Sequence, residues 1–314
     1  MSAILYLVIP CYNEEEMLPI TSKVLLNKRE ELIRLGKISP ESRILFVNDG
    51  SKDATWDIIK GLHEKNRAFS GLNLSRNRGH QNALLAGLMY AKDHADISIS
   101  MDADLQDDPN AINGMIECYE NGCDIVYGVR DDRKEDTFFK RKSAECFYRL
   151  MTFLGTEVKE NSADFRLMSK RALEALSEFR EVNLFLRGMV PLLGFKQGTV
   201  TYKRASRAAG ESKYPLRKML AFSFEGITSF SIVPIRMITY LGVMIFLISL
   251  LFLIWGVVQK FRGLTVQGWS SLITSVWAIG GLILLAIGVV GEYIGKIYLE
   301  VKDRPRYIIK DILD

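Results

Sequence analysis

The sequence predicts an α/β fold with a mostly parallel sheet, helices on both faces and two C-terminal transmembrane helices. Two observations predict this architecture. Apolar runs of strand length alternate with helical patterns through the first half of the chain, an order typical of parallel sheets. Further on, two stretches of this 314-residue chain carry no charged residue, Met237–Gln259 and Gly263–Gly291. Each of them is long enough to cross a bilayer.

The strands and helices of the first half follow from their apolar patterns. The run Ile4–Ile9 is continuously apolar, which indicates a strand that is covered on both faces. The other predicted strands are Arg43–Val47, Leu72–Ser75, Ile97–Met101 and Ile125–Val129. Predicted helices cover Glu15–Leu35, Thr55–Glu64 and Gln81–Lys92.

The pattern is less regular in the second half of the chain. Helices are predicted over Phe139–Leu154 and Lys170–Glu178, and strands over Asp164–Met168 and Phe195–Lys203. Cations mix with large apolar residues over Leu216–Ser231, which favours a helix at the membrane surface, although a packing helix would share this pattern. The predicted parts are a cytoplasmic domain (1–213), an interfacial segment (214–231), a transmembrane hairpin (232–297) and a cytoplasmic tail (298–314).

Basic residues around the two apolar stretches predict their orientation. Lys260 and Arg262 lie between the stretches, and a larger number of lysines and arginines flank them on the outer sides. By the positive-inside tendency, both termini and the first domain face the cytoplasm. The first residues lack the pattern of a signal peptide. We therefore expect a multi-pass protein of the cytoplasmic (inner) membrane.

The cysteines and the distribution of charge indicate which partners the protein has. Four cysteines, at positions 11, 118, 123 and 146, lack the spacing of a metal site, and a cytoplasmic location predicts free thiols. The formal charge of +4 is small, and the basic clusters lie near the apolar stretches. This distribution favours lipid headgroups or a phosphate-bearing substrate as partners, and not nucleic acid.

Three of the predicted strands end in polar clusters, which are Pro10–Glu14, Asn48–Ser51 and Asp102–Asp104. Ligands of open α/β sheets bind beyond the carboxyl ends of the strands, so three clusters at one edge predict a shared pocket. Glycine-rich dinucleotide and P-loop motifs are both absent from the sequence.

The acidic cluster has two interpretations. Carboxylates at 102 and 104 could hold a hard divalent cation that bridges substrate phosphates. Alternatively the segment is a helix start, with Asp108 as the N-cap and Pro109 at the first helical position. We adopt the helix start for Asp108 and Pro109, which leaves the two earlier carboxylates for the cation.

Six blocks together resemble the family 2 glycosyltransferases of the polyprenyl-phosphate type, which include dolichol-phosphate mannose synthases and bacterial bactoprenol glucosyltransferases. The blocks are Val8–Glu14, Val47–Asp53, Asn77–Asn82, Asp102–Gln106, Asp164–Met168 and Gly210–Tyr214. The resemblance covers essentially the whole chain, and the paired apolar stretches look most like the bactoprenol glucosyltransferase branch. The Gln-x-x-Arg-Trp motif of processive synthases is absent.

The resemblance implies a GT-A-type fold and an enzyme that transfers one sugar, first of all glucose from UDP-glucose, to polyprenyl (undecaprenyl) phosphate. It also implies a divalent metal (Mg²⁺ or Mn²⁺), a homotetramer, and a place in cell-envelope chemistry. Displacement in one step would invert the anomeric carbon. The alternatives are a polyprenyl-phosphate mannosyl- or aminoarabinosyltransferase, an inactive membrane-anchored nucleotide-sugar binding protein, and a small transporter.

The resemblance also assigns the donor site residue by residue. Asp104 and Gln106 are the expected metal ligands, and Asp102 is shared between the metal and the ribose and counted as catalytic. The remaining nucleotide-binding positions are Pro10, Tyr12, Glu14, Asp49 and Ala103.

The acceptor site is predicted from the chemistry of a lipid phosphate. A phosphate monoester has a second pKa of about 6, so it is mostly anionic at neutral pH and needs positioning more than deprotonation. Arginine can bind two phosphate oxygens at once. The candidate phosphate-binding residues are Arg130, Arg141, Arg207 and Lys213, and each could instead be a solvated surface charge.

Two further residues have open roles. Asp164 is the predicted catalytic carboxylate that orients or deprotonates the acceptor, and a structural bond to Arg166 is the alternative. His80 stands just before a predicted helix, which favours capping of that helix or contact with the donor.

Overall fold

The computed structural model describes residues 2–131, 162–182, 184–203 and 269–314, together with isolated helical positions between 235 and 251. The chain divides into two compact units. The sheet unit comprises Met1–Leu150, Glu157–Tyr214 and Arg304–Asp314, and the helical unit comprises Met151–Thr156 and Pro215–Asp303.

The sheet unit is built on an eight-stranded sheet in the described part of the chain. Its strands are β1 Leu5–Cys11, β2 Arg43–Asn48, β3 Phe69–Leu74, β4 Ile97–Ser100, β5 Ile125–Arg130, β6 Ser162–Ser169, β7 Gln197–Tyr202 and β8 Ile309–Leu313. Their order across the sheet is β7-β5-β6-β4-β1-β2-β3-β8. The described helices of this unit are α1 Leu18–Arg34, α2 Thr55–Lys65, α3 His80–His94, α4 Ala111–Glu120, α5 Lys170–Ser177 and α6 Leu186–Leu192.

The centre of the sheet is parallel, as predicted. Strands β4, β1, β2 and β3 are parallel neighbours. Strand β6 runs antiparallel to β4 and β5, and β8 runs antiparallel to β3. Every residue of β1 and of β3 is buried, because the sheet is covered on both faces at these strands. The prediction of an α/β fold with a mostly parallel sheet is confirmed.

The start of α4 differs from its prediction. The N-cap position is Asn110, so the assignment of Asp108 as N-cap and Pro109 as first helical residue is wrong by two positions. The Asp108 carboxylate accepts the backbone N–H of Asn110 at 2.9 Å. This local bond forms a turn before the helix, a conformation that aspartate side chains favour.

The helical unit contains α7, Trp269–Val301. Within α7, the 23-residue segment Ile279–Val301 has a mean hydropathy of 1.8 and is the one described helix long and apolar enough to cross a membrane. The helix continues past residue 297, where we placed the end of the hairpin. Three other predicted segments lie largely or wholly outside the described residues: Phe139–Leu154, Leu216–Ser231 and the first span Met237–Gln259.

Helix α3 packs against the sheet through Gly87. A Cβ atom added at this glycine would lie 2.4 Å from Val8 Cγ1 and 2.8 Å from Val47 Cγ2. We expect Gly87→Ala to destabilise the fold by about 1–3 kcal/mol, because the helix must move away from β1 and β2. Chemical unfolding of the full chain in detergent measures this change.

Gly61 in α2 provides the matched control. No described atom lies within 4 Å of a Cβ built at this glycine. Gly61→Ala should therefore stabilise the protein by about 0.5–1 kcal/mol, through helix propensity alone. Equal unfolding midpoints for the two variants would contradict the close packing of α3.

Candidate active site

The three predicted polar clusters meet at one edge of the sheet. Strands β1, β2 and β4 are parallel and adjacent, so their carboxyl ends lie side by side. The chain leaves these strands into loops at 12–17, 49–54 and 101–110. The structure therefore brings together the segments that the sequence predicted to share a pocket.

The loops after β1 and β2 are fastened to each other by hydrogen bonds. The backbone N–H of Asn13 donates to Ser51 Oγ at 3.0 Å, and that of Lys52 donates to Asn13 Oδ1 at 2.9 Å. The N–H of Glu14 donates to Thr55 Oγ1 at 2.9 Å. Next to these hydrogen bonds, Pro10 is buried, whereas the Tyr12 side chain is 43% exposed at the edge of the sheet.

Asp49 ties the loop after β2 to the loop after β3. Its carboxylate is buried and accepts the backbone N–H groups of Arg78 at 2.7 Å and of Gly79 at 2.9 Å. Burial raises the pKa of Asp49, and these two hydrogen bonds oppose the rise. Each carboxylate oxygen has a second lone pair, so the predicted contact with a nucleotide base is compatible with this anchoring role.

The loop after β4 carries the acidic segment. Asp104 Oδ1 accepts the backbone N–H of Gln106 at 3.2 Å, and the Thr21 hydroxyl donates to the Ala103 carbonyl at 2.6 Å. The Asp102 side chain is 39% exposed. The protein atoms around the carboxyl group nevertheless reduce its hydration, which raises the pKa of Asp102 to about 6, against the opposing influence of His80. Three neighbouring aspartates add to the rise.

The acidic segment has the chemistry of a divalent metal site without a complete set of ligands. Among the described residues, no three His, Cys, Asp or Glu side chains converge as a preformed centre. Mg²⁺ is usually bound by one or two carboxylates together with substrate phosphates, so a complete protein cage is not required. Asp107 is buried, and its Oδ2 atom has no hydrogen-bond partner among the described residues. The carboxylates of this loop therefore have the chemistry to hold a cation together with a substrate phosphate.

Asp164 lies beside the acidic segment and is surrounded by cations. Its carboxylate accepts bonds from Arg166 Nη2 at 3.1 Å and from Arg187 Nε and Nη2 at 3.2 Å each. His80 Nε2 lies 3.3 Å from Asp164 Oδ2 and 3.7 Å from Asp102 Oδ1. Burial alone would raise the pKa of Asp164, but the bond from His80 and the two arginine charges hold it well below its usual range.

The contacts of Arg187 extend the site beyond the residues considered from the sequence, and those of His80 bear on one of its two predicted roles. His80 is the first residue of α3 and makes no side-chain capping bond, so the expected capping role is wrong. Burial lowers the pKa of His80, but its bond to Asp164 and the charges of Asp102 and Asp164 outweigh this and raise it. Arg187 lies outside every sequence motif, so its contact with Asp164 could not be predicted from the sequence.

Arg130 reaches the same edge through a different pair of strands. The register of β5 and β7 pairs Arg130 with Tyr202, and Arg130 Nε donates to the Tyr202 hydroxyl at 3.2 Å. That hydroxyl donates to Asp107 Oδ1, which also lies 3.5 Å from Arg130 Nη2. The Arg130 side chain is 30% exposed. The other predicted phosphate ligands, Arg141, Arg207 and Lys213, lie outside the described residues.

The edge of this sheet thus presents a carboxylate segment for a cation and a facing cluster of arginine and histidine. The protein is therefore an α/β protein with charged groups at the carboxyl ends of its strands, where ligands of open α/β sheets bind. Residues 6–177 match the family description "Glycosyl transferase family 2". The chain belongs to this family and is a glycosyltransferase.

Two relatives that are similar over nearly the whole chain agree with this assignment. The uncharacterized glycosyltransferase YkoT of Bacillus subtilis is 53% identical over 306 residues, which cover 98% of this chain and 91% of that protein. The SfII prophage-derived bactoprenol glucosyl transferase of Shigella flexneri is 43% identical over 307 residues, covering 97% and 96%. Among solved structures, glucosyl-3-phosphoglycerate synthase of Mycobacterium tuberculosis has a TM-score of 0.44 at 17% identity, covering 72% and 78%.

Gly50 brings the loops after β2 and β3 into contact. Its φ is +62°, and an added Cβ would lie 2.5 Å from both Arg76 C and Asn77 N. Gly50→Ala must push the 76–79 loop away and stretch the bonds that Asp49 accepts. We expect a loss of about 2–4 kcal/mol of stability, from a strained φ together with the backbone collision.

Gly36 separates these two causes, because its φ is +69° but no described atom lies within 4 Å of an added Cβ. Gly36→Ala should cost only the strain of about 1–2 kcal/mol. Thermal unfolding of both variants makes the comparison, and a Gly50 variant as stable as the Gly36 variant would show that the loops do not depend on this contact.

Proposed function

We propose that this chain transfers a single glucose from UDP-glucose to polyprenyl phosphate at the cytoplasmic membrane face, with inversion at the anomeric carbon. The observation that carries the proposal is the meeting of the acidic segment Asp102–Gln106 with Asp164 and its cations at one sheet edge. The Shigella relative, named a bactoprenol glucosyl transferase, supports this sugar and this class of acceptor because the similarity covers nearly the whole chain.

The donor is assigned to the loops after β1, β2 and β4. Asp104 and Gln106, with Asp102, would hold Mg²⁺ or Mn²⁺, which supplies positive charge to neutralise the departing diphosphate. Tyr12 and Asp49 lie on the neighbouring loops, and Pro10 lies near the end of β1. All three suit the nucleoside, together with Glu14 and Ala103. The exposed face of Tyr12 is available for stacking on the base.

The acceptor is assigned to the cationic side of the site. An oxygen of the lipid phosphate attacks the anomeric carbon, the bond from that carbon to the diphosphate oxygen breaks, and UDP leaves with the electron pair. A phosphate with a second pKa of about 6 is already anionic at neutral pH, so no strong base is needed. Arg187 and Arg130 can bind its oxygens, and Asp164 holds Arg187 and His80 in position.

The membrane assignment completes the proposal. The apolar helix α7 supports a location at the bilayer, where the isoprenoid chain of the acceptor resides. We retain a two-span hairpin with both termini in the cytoplasm of the inner membrane, and a homotetramer, as parts of the proposal. Cysteine accessibility from either side of the membrane tests the topology, and native mass spectrometry in detergent tests the tetramer.

Purified protein incubated with undecaprenyl phosphate, Mg²⁺ or Mn²⁺ and a panel of UDP and GDP sugars tests the reaction. We expect a glucosylated lipid from UDP-glucose, detected by mass spectrometry, with a β linkage by anomeric NMR. A lipid product from GDP-mannose or a UDP-aminoarabinose, and none from UDP-glucose, would show that the enzyme transfers that sugar instead of glucose. Binding of the donor without any lipid product would identify an inactive nucleotide-sugar binding protein.

Asp104→Ala tests the metal role. We expect this variant to lose metal-dependent transfer by about 100-fold or more, because charge neutralisation of the leaving group is lost. Calorimetry should also show that Mn²⁺ no longer strengthens UDP binding. Asp108→Ala is the matched control, since the Asp108 carboxylate serves the turn before α4. Near-normal turnover of the Asp104 variant would exclude this residue as a ligand.

Asp164→Asn distinguishes positioning from base catalysis. If Asp164 positions cations, transfer should fall by about 100-fold relative to the original chain at all pH values between about 5 and 8, a range that spans the second pKa of the acceptor, about 6. If Asp164 were the base, activity would recover as the pH rises and the acceptor loses its proton unaided. Arg187→Gln is a second test of the positioning role, at a partly exposed residue. We expect this variant to raise the KM for the lipid phosphate more than the KM for the donor.

A further inference from the structure

Three polar side chains form a hydrogen-bonded row across strands β2, β3 and β8. The register pairs Asn48 with Asn73 and Asn73 with Asp311. Asn73 Nδ2 donates to Asp311 Oδ2 at 2.8 Å, and Asn48 Nδ2 donates to Asn73 Oδ1 at 2.8 Å. Asn48 Oδ1 in turn accepts the backbone N–H of Ser51 at 3.2 Å. The row therefore runs from the C-terminal strand to the loop after β2.

The carboxylate of Asp311 fixes the direction of every bond in this row. An ionised carboxylate can only accept, so Asn73 must turn its NH₂ group toward Asp311 and its carbonyl toward Asn48. Asn48 must then donate with its own NH₂ group and present its carbonyl to Ser51. An amide in place of Asp311 could donate or accept, so the order of the row would then depend on the Ser51 N–H alone.

The last bond of the row shapes the loop that carries Asp49. Asn48 and Asn73 are 2% and 7% exposed, so a wrongly turned amide has no water to compensate it. If Asn48 turned, its NH₂ group would face the Ser51 N–H, and two donors would repel each other. The turn at Asp49 and Gly50 would then loosen, together with the bonds from Arg78 and Gly79 to Asp49.

We propose that β8 is a functional part of the donor site, and that Asp311 and Asn73 are positioning residues that set the loop Asp49–Ser51 for the nucleotide. Residues 302–308 connect β8 to the apolar helix α7. The membrane-embedded part of the chain is thereby followed directly by the strand that orders the donor loop. This inference rests on the proposed function, because the ligand that the loop positions is a nucleotide sugar.

Asp311→Asn is the first test, since it preserves the shape of the side chain and removes only its fixed polarity. In the full chain with Mn²⁺, we expect calorimetry to show UDP-glucose binding weakened by about fivefold, the effect of one disturbed hydrogen bond. The KM for undecaprenyl phosphate should not change. Asp314→Asn is the matched control, because Asp314 directly follows β8 and pairs with Arg43, which is not part of the row.

The double variant Asn73→Asp with Asp311→Asn tests the direction of the row. A carboxylate at position 73 accepts from both neighbours, so Asn48 is again forced to present its carbonyl to Ser51. We expect donor affinity to return to within about twofold of the original chain, with the same net charge. Failure of the double variant to recover would overturn the polarity argument, as would donor affinity of Asp311→Asn equal to that of Asp314→Asn.

Hydrogen exchange separates this inference from the proposed function. Without any ligand, amides of the peptide covering residues 48–53 should exchange faster in Asp311→Asn than in Asp314→Asn, and slowly again in the double variant. Unchanged exchange would overturn the inference even if the enzyme is active. If the original chain binds no nucleotide sugar while exchange follows this order, the proposed function fails and the row stands as a purely structural device, so that the positioning role is rejected.

Discussion

The candidate site depends on the directions of the strands at one edge of the sheet. Parallel β1, β2 and β4 deliver three loops to that edge, and antiparallel β6 delivers the beginning of its own strand to the same place. Ser100 at the end of β4 fastens this arrangement, because its hydroxyl donates to the backbone carbonyls of Asp164 and Arg166. A parallel β6 would place Asp164 at the far end of the sheet, away from Asp102.

The charges at this edge are separated into two environments. Burial is the main cause that raises the pKa of Asp102 to about 6, and the neighbouring carboxylates add to the rise. Asp164 also experiences burial, but bonds from His80, Arg187 and Arg166 hold its pKa well below the usual range. Two carboxylates linked through one histidine can therefore serve opposite purposes, one attracting a cation and the other arranging cations for an anion. Desolvating so many charges opposes folding, which favours a functional reason for their retention.

The parts of the molecule that the sequence predicted are those with local signals. Apolar runs marked strands from β1 to β7, and turn residues marked the loops at their ends. Residues such as Arg187 and Asp311 carry no such signal, because their roles depend on partners that are remote in the sequence. Arg187 bonds to Asp164, and Asp311 bonds to Asn73. The start of α4 was misplaced for a related reason. A cap and a turn before a helix use the same aspartate chemistry, and only the geometry distinguishes them.

Strand β8 joins the sheet at a point that would otherwise be exposed. Without it, β3 would be the edge strand and would present unpaired backbone groups, a known route to aggregation. Antiparallel pairing from Gly71 to Leu74 satisfies those groups, and the N–H of Ser75 donates to the Ile308 carbonyl at 2.9 Å. The sheet is thus completed by residues that follow the apolar helix in the chain. A chain that ended before α7 would lack this strand, so the sheet is complete only when the residues after the apolar helix have folded onto β3.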